Sequence, residues 1–243
     1  FSETGQLWGN PVYDWDNALD KICDWWIKRI QSALQLADIV RIDHFRGFAG
    51  YWAVPYGEKT AINGEWYKAN GDYLFERIEK ELGKLPIIAE DLGVITPDVE
   101  HLLKKYNFPG MKILQFAFDS EEASAKNFIP HVYIKNCVCY TGTHDNSPCL
   151  GLYNDAKEID KKYAEEDLDI KNDEVSRAFI KGAIASVSVF SIIPLQDLLG
   201  LGNEARMNIP GKTGGNWSWR YKKDALTDKM ADYLIKLTKL YGR

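Results

Sequence analysis

Cysteine is scarce in this sequence, four residues in 243. Cys23, Cys137, Cys139 and Cys149 form no C-x-x-C pair and have no histidine at metal-ligand spacing, which argues against a disulfide scaffold and against a zinc site. So few cysteines fit a reducing cytoplasm. Cys137 and Cys139 sit two apart on an expected strand and read as core packing. No apolar run approaches the roughly 20 residues of a membrane span, and the first residues do not resemble a signal peptide. Net charge is −5, and the 30 Lys and Arg residues are scattered rather than massed, so no nucleic-acid partner is expected. Internal repeats and low-complexity segments are also missing. The sequence starts at Phe1 rather than at methionine and reads as a fragment. What is plentiful is apolar and aromatic surface: 45% hydrophobic residues, with 8 Trp and 13 Tyr. A chain of this length buries on the order of 70% of its unfolded surface. One domain is the simplest count, and aromatic faces of this kind suit pyranose rings as well as ordinary cores.

The sequence is organised around residues 39–47, IVRIDHFRG. Ile39, Val40 and Ile42 make a short strand, and period-two alternation sends Arg41 and Asp43 to one face. A cation and a carboxylate then project together from the end of a strand that turns at Gly47. In barrels of parallel strands, the carboxyl ends of the strands gather the catalytic groups.

Along the chain, residues 1–11 read as a loop with an exposed Trp8. Residues 14–36 carry Leu19, Ile22, Trp26, Ile30 and Leu34 at helical spacing. Residues 47–71 read as a long loop, a length that in a compact domain is usually functional. A helix over 72–82 stops at Gly83, a strand over 86–93 runs from apolar residues into Glu90-Asp91 and a glycine, and Thr96 caps a helix that has Pro97 at its first position. Further strands are expected over 111–118, 136–146 and 187–198. A charged helical excursion is expected over 155–173, a helix over 175–185 and a last helix over 224–240. Strand and helix alternate as in a parallel sheet. The count is about five strands, three short of the eight a closed barrel has.

Three of these strands end in an acid: Asp43, Glu90 and Asp145. If the strands are parallel neighbours, the three carboxylates meet at one rim. Two carboxylates across an anomeric carbon cleave a glycosidic bond, one as ionised nucleophile and one as proton donor. Arg41 favours an ionised Asp43, whereas Glu90 follows Ile87-Ile88-Ala89 without an adjacent cation, which favours the protonated form. Asp145 then stabilises the oxocarbenium-like transition state. A retaining mechanism requires the first two carboxyl groups at about 5–5.5 Å. A metal is the competing use of three acids with His44 and His144, but separate strands give no compact motif such as H-E-x-x-H, and no cofactor or metal is expected.

The stretches RIDHFRG, IIAEDLG, GTHDN, PLQDLLGLG and RMNIPG followed by NWSWR together resemble the amylomaltases. These are 4-α-glucanotransferases, or disproportionating enzymes, of glycoside hydrolase family 77 in the α-amylase superfamily. The resemblance runs from residue 1 to about residue 220. It implies an α/β fold, a (β/α)8 TIM barrel of which this chain is the C-terminal portion. Residues 1–11 would be an active-site lid, 37–198 the strands with the acids, and 199–243 a terminal loop and helix. It implies that Asp43 is the nucleophile, Glu90 the acid/base and Asp145 the transition-state stabiliser. Arg41, His44 and His144 would hold the sugar, with Ser2, Glu3, Gln6 and Trp8 as lid contacts and Asn208 as a further glucan contact. The expected partners are maltooligosaccharides and other α-1,4-glucans, in the cytoplasm or, for a plant protein, the plastid. The first barrel strands would come from upstream or from another chain. An α-amylase-type hydrolase and an inactive glucan-binding fragment are the alternatives, because the same three acids serve hydrolysis and transfer. One local departure follows the THDN stretch, where Ser147-Pro148-Cys149 replaces the family's usual Asp-Thr; this bears on acceptor handling.

Overall fold

A computed structural model describes residues 3–172 and 174–243. The chain divides into two compact units, Phe1–Gly110 and Met111–Arg243.

In the first unit, α1 (Trp15–Leu34) starts where the Asp14 carboxylate accepts the Asn17 amide at 3.2 Å, a side-chain cap. Its Ile22, Cys23 and Ile30 are buried and Leu19, Trp26 and Leu34 are half-buried, the face that the helical spacing gives. Beside it, β1 (Val40–Ile42) runs parallel to β4 (Ile87–Ala89), with Val40 opposite Ile87, Arg41 opposite Ile88 and Ile42 opposite Ala89. Between them in sequence, α2 (Gly71–Leu82) ends at Gly83, whose φ of 75° and ψ of −161° are a backbone conformation essentially reserved for glycine. Phe45, Phe48, Phe75, Tyr106 and Phe108 join their rings at the centre, with centroids 5.1–5.8 Å apart.

Residues 47–71 are only in part the loop that the sequence suggests, over 54–64. A 3-10 turn (Phe45–Phe48) leads to an antiparallel hairpin of β2 (Gly50–Ala53) and β3 (Glu65–Lys68). Cross-strand aromatic pairs hold it, Tyr51 on Tyr67 with centroids at 5.9 Å and Trp52 on Trp66 at 5.5 Å. Aromatic residues on both faces hide the alternation that would announce a strand. Gly71 is required where it stands, since a Cβ there would lie 2.3 Å from the Phe48 carbonyl oxygen.

The N-terminus of α3 (Pro97–Tyr106) also corrects the sequence reading. Thr96 does not cap a backbone amide with its side chain; its hydroxyl donates to the Asp98 carboxylate, which in turn accepts the Val99 amide at 3.1 Å. The far end of α3 is clamped onto α2. The Tyr106 hydroxyl donates to the Asp72 carbonyl at 2.6 Å, and Lys105 pairs with the Asp72 carboxylate at 2.6 Å.

In the second unit, β5 (Gly110–Ile113), β6 (Cys137–Tyr140) and β7 (Phe190–Ile192) form one sheet in that order. β6 and β7 are parallel, with Val138 opposite Phe190 and Tyr140 opposite Ile192. The strand expected over 111–118 stops at Ile113, and Leu114–Phe118 form a 3-10 turn with Leu114, Gln115, Ala117 and Phe118 all buried. A short continuous apolar run does not distinguish these two conformations. The strand expected over 187–198 stops for a clearer reason, because Pro194 precedes the short helix α4 (Leu195–Leu198) and cannot extend a ladder. Helices Cys149–Asp155, Glu158–Leu168 and Val175–Ala185 pack around Phe179, Leu114 and Cys139, and Asp228–Tyr241 closes the chain.

Candidate active site

Backbone bonding between β1 and β4 continues past both strand ends. The Glu90 amide donates to the Ile42 carbonyl at 2.9 Å, and the Phe45 amide donates to the Glu90 carbonyl at 2.9 Å. Asp43 and Glu90 therefore stand at the ends of neighbouring strands, which lie about 4.8 Å apart in such a sheet. Arg41 and Asp43 share a face, as alternation requires, and the guanidinium Nη2 lies 2.8 Å from Asp43 Oδ1. The Asp43 side chain is 76% exposed, so the pair does not serve burial.

Glu90 is held by main-chain amides. Its Oε2 accepts the His44 amide at 2.7 Å and its Oε1 accepts the Leu92 amide at 2.7 Å. To deliver the first of these, His44 adopts φ 48° and ψ 51°, the left-handed region. For a residue with a Cβ this costs roughly 1–2 kcal/mol. Such strain persists only where the surroundings over-determine it. Gly47 permits the arrangement, since a Cβ there would lie 3.2 Å from the His44 ring. Next to it, the Arg46 guanidinium lies over the Trp66 ring at 4.5 Å and donates to the Val94 carbonyl at 2.8 Å.

Asp145 belongs to the second unit, in the loop between β6 and the helix Cys149–Asp155. Its Oδ1 accepts from Asn208 Nδ2 at 2.6 Å, and its Oδ2 lies 3.3 Å from His144 Nε2. The Asp145 carbonyl accepts from Arg206 Nη2 at 2.6 Å, while Arg206 Nη1 reaches the Ser147 hydroxyl at 3.1 Å and Arg206 Nε the Asn208 carbonyl at 3.0 Å. The Asn208 amide donates to the His144 carbonyl at 3.1 Å. Trp217, at φ 60°, is a second strained residue; its amide donates to the Met207 carbonyl at 2.7 Å, and its ring lies 5.2 Å from that of His144. A cavity of about 160 Å³ adjoins this loop, lined by His144, Pro148, Met207 and Trp217 among others.

The structure thus pairs Asp43 with Arg41, sets Glu90 on the neighbouring strand end beside His44, and gathers His144, Asp145 and Asn208 in the second unit. Glu3, Gln6 and Trp8 lie in an exposed loop, with Trp8 at 62% exposure. That loop is tied down where the Thr4 carbonyl accepts the Ala61 amide at 2.9 Å. Ser2 lies outside the described residues. Sequence reasoning gave no role to Arg206, Trp217, Gln115 or Asp197, although each falls in or beside a stretch it singled out. Among the described residues, no group of three or more His, Cys, Asp and Glu gathers as a metal site, and no helix is long and apolar enough to cross a membrane. All four cysteines are buried and outside any disulfide, and burial pushes the Cys139 thiol up to about 12.

The family model described as 4-alpha-glucanotransferase, glycoside hydrolase 77, matches residues 1–227. A Synechocystis 4-alpha-glucanotransferase is 52% identical over all of this chain and 48% of its own length. A Solanum tuberosum protein named 4-alpha-glucanotransferase, chloroplastic/amyloplastic, is 48% identical over all of this chain and 42% of its own. Among solved structures, an amylomaltase from Streptococcus agalactiae in complex with acarbose superimposes with a TM-score of 0.94, at 42% identity, over all of this chain and 49% of that one. The chain belongs to the 4-alpha-glucanotransferase family, glycoside hydrolase 77. Its fold is α/β, part of the (β/α)8 barrel of the α-amylase superfamily. It spans about half the length of the curated relatives it matches.

Proposed function

We propose that this chain carries the chemistry of a 4-α-glucanotransferase, which moves a segment of an α-1,4-glucan to a glucan or glucose acceptor with retention of configuration. The observation that carries the reading is the placement of Asp43 and Glu90 at the adjoining ends of parallel strands, a spacing suited to the about 5–5.5 Å of a retaining pair. Asp43 attacks the anomeric carbon as Glu90 gives its proton to the departing glycosidic oxygen, so a glycosyl ester forms on Asp43 and a shortened glucan leaves. Glu90 then takes the proton of an acceptor hydroxyl, whose oxygen displaces Asp43 at the same carbon. Two inversions give net retention. Arg41 orients the attacking carboxylate, and the amides of His44 and Leu92 fix Glu90.

Asp145 is assigned the stabilisation of positive charge at the anomeric carbon, with Asn208 and His144 orienting it. Arg41, His44, His144 and Asn208 are the sugar contacts, and Ser2, Glu3, Gln6 and Trp8 the lid that keeps water from the glycosyl-enzyme. No cofactor or metal enters these steps. The substrates are maltooligosaccharides and longer α-1,4-glucans, the remaining barrel strands are supplied by further protein, and the setting is the cytoplasm or a plastid. The test is incubation with maltotriose followed by chromatography. A ladder of longer maltooligosaccharides together with glucose is expected. Release of reducing sugar without longer products would overturn transfer in favour of hydrolysis.

A further inference from the structure

Asp197 is a buried carboxylate in the second unit to which the chemistry above gives no part. It stands on α4 in the PLQD stretch and is 1% exposed. Its Oδ2 accepts the Thr141 hydroxyl at 2.5 Å, and its Oδ1 accepts the Cys149 amide at 2.7 Å. The Cys149 thiol adds a weaker contact to Oδ2 at 3.3 Å. Thr141 directly follows β6, and Cys149 opens the helix Cys149–Asp155. One side chain is thereby bonded to both ends of the loop that carries His144 and Asp145.

The sequence of the loop explains why this outside help is needed. Pro148 occupies the cap position of the helix and has no side-chain oxygen, so the first free amide must find an acceptor elsewhere. Gln115 braces the same segment, donating to the Ser147 carbonyl at 2.9 Å and to the Cys149 sulfur at 3.3 Å. Gly142 makes room for it, since a Cβ there would lie 2.7 Å from the Gln115 amide nitrogen. Burial pushes the Asp197 carboxyl up, and the bonds from Thr141 and Cys149 oppose that shift. A buried carboxylate is a poor source of stability, so its presence here asks for another reason.

We propose that Asp197 is a positioning residue for Asp145, tying Thr141 and Cys149 so that the loop presents its carboxylate to Asn208 at one fixed angle. This rests on the transfer role given to Asp145 above. The test uses Asp197→Ala, which removes both ties, Asp197→Asn, which keeps the shape and an acceptor for the Cys149 amide, and Thr141→Val, which removes one tie. All are made in the form of the protein that transfers from maltotriose. In Asp197→Ala, amide exchange over residues 142–149 should rise at least about tenfold while β6 stays protected, and kcat should fall about 100-fold with KM within about threefold. Asp197→Asn should recover kcat to within about fivefold of wild type. Added to Asp145→Asn, the Asp197→Ala change should cost less than about threefold more, because the two act through one group.

Unchanged exchange, unchanged kcat, or full additivity with Asp145→Asn would overturn the proposal. If Asp197→Ala does not fold, Thr141→Val is judged by the same exchange and additivity readouts, with a kcat loss of about tenfold expected. Exchange is read without substrate. A loosened loop in a protein that transfers nothing would therefore reject the transfer reading and leave the tethering standing.

Discussion

Replacing Asp43 by Asn separates stability from chemistry more cleanly than any other single change in this chain. The substitution keeps the shape of the side chain and removes its charge, so the ion pair with Arg41 is lost. That pair is short, 2.8 Å, but its carboxylate partner is 76% exposed and its guanidinium partner 31% exposed. Pairs this wet contribute about 0–1 kcal/mol. For a chain of 243 residues, a loss of that order moves the melting midpoint by about 2–4 °C at most. The chemical cost is of another magnitude, since removing a covalent nucleophile lowers kcat by factors on the order of 10⁴ to 10⁶. The expected result is a variant that melts within a few degrees of wild type, keeps its circular dichroism, and makes no detectable maltooligosaccharide ladder from maltotriose. A folded Asp43→Asn protein retaining a tenth of the wild-type transfer rate would refute the nucleophile assignment. A large drop in melting temperature would refute the solvation argument and return the Arg41–Asp43 pair to a structural role.

Glu90→Gln keeps one acceptor oxygen for the His44 or Leu92 amide, so the fold should hold; transfer from maltotriose should fall at least about 100-fold, whereas a maltosyl donor with a good leaving group, which needs no proton, should be spared in its first step. Equal losses on both donors would count against Glu90 as the acid. Tyr106→Phe removes the bond to the Asp72 carbonyl and should cost about 1 kcal/mol in chemical denaturation. Burial and the Asp72 bond push the Tyr106 phenol up to about 12, so the folded form keeps its proton longer than the unfolded chain. Wild type should therefore lose stability as pH rises from about 10 toward 12, and Tyr106→Phe should lose less of it. The bond from Lys105 holds the Asp72 carboxyl below its ordinary range, so that contribution is present at neutral pH and fades as pH falls through the lowered value. Gly71→Ala should destabilise by roughly 1–3 kcal/mol or prevent folding, because the new methyl meets the Phe48 carbonyl oxygen, which is backbone and cannot swing away. A melting temperature equal to wild type would show that the chain between Phe48 and Gly71 yields more easily than its packing implies.

The elements legible in the sequence were those whose signals are local. The helix Trp15–Leu34 follows from apolar spacing, β1 and β4 from short apolar runs ending in acids, and the shared face of Arg41 and Asp43 from alternation alone. The hairpin of β2 and β3 was hidden because Tyr51, Trp52, Trp66 and Tyr67 put large rings on both faces and leave no period to read. The turn over Leu114–Phe118 was hidden for the opposite reason, an apolar run too uniform to choose between conformations. At the candidate site Asp43 and Glu90 stood out by their place at strand ends, whereas the strand expected over 136–146 stops at Tyr140 and leaves Asp145 in the loop beyond it. The supports of the acids did not stand out, because Asp197 reaches Thr141 and Cys149 across 56 and 48 residues and Arg206 reaches the Asp145 carbonyl across 61. No window of sequence contains both partners of such bonds.

Local rules are broken in this chain beside each half of the candidate chemistry, and the breaks share a form. His44 and Trp217 both take the left-handed backbone that bulky residues avoid, and each thereby aims an amide, at Glu90 in the first case and at the Met207 carbonyl next to Asn208 in the second. Asp197 is a carboxylate taken out of water to bind a loop. Each costs free energy that an ordinary glycine or apolar residue would save. Violations gathered beside the candidate chemistry are what a functional site leaves in an otherwise consistent sequence. Replacing His44 by Gly should then stabilise the fold, by about 1 kcal/mol from relieved strain less the entropy that a glycine loses on folding. Transfer should fall all the same, because the amide that holds Glu90 is no longer confined to one direction and the imidazole is gone. A variant with unchanged stability and unchanged transfer would show that the His44 backbone is a tolerated irregularity with no bearing on Glu90.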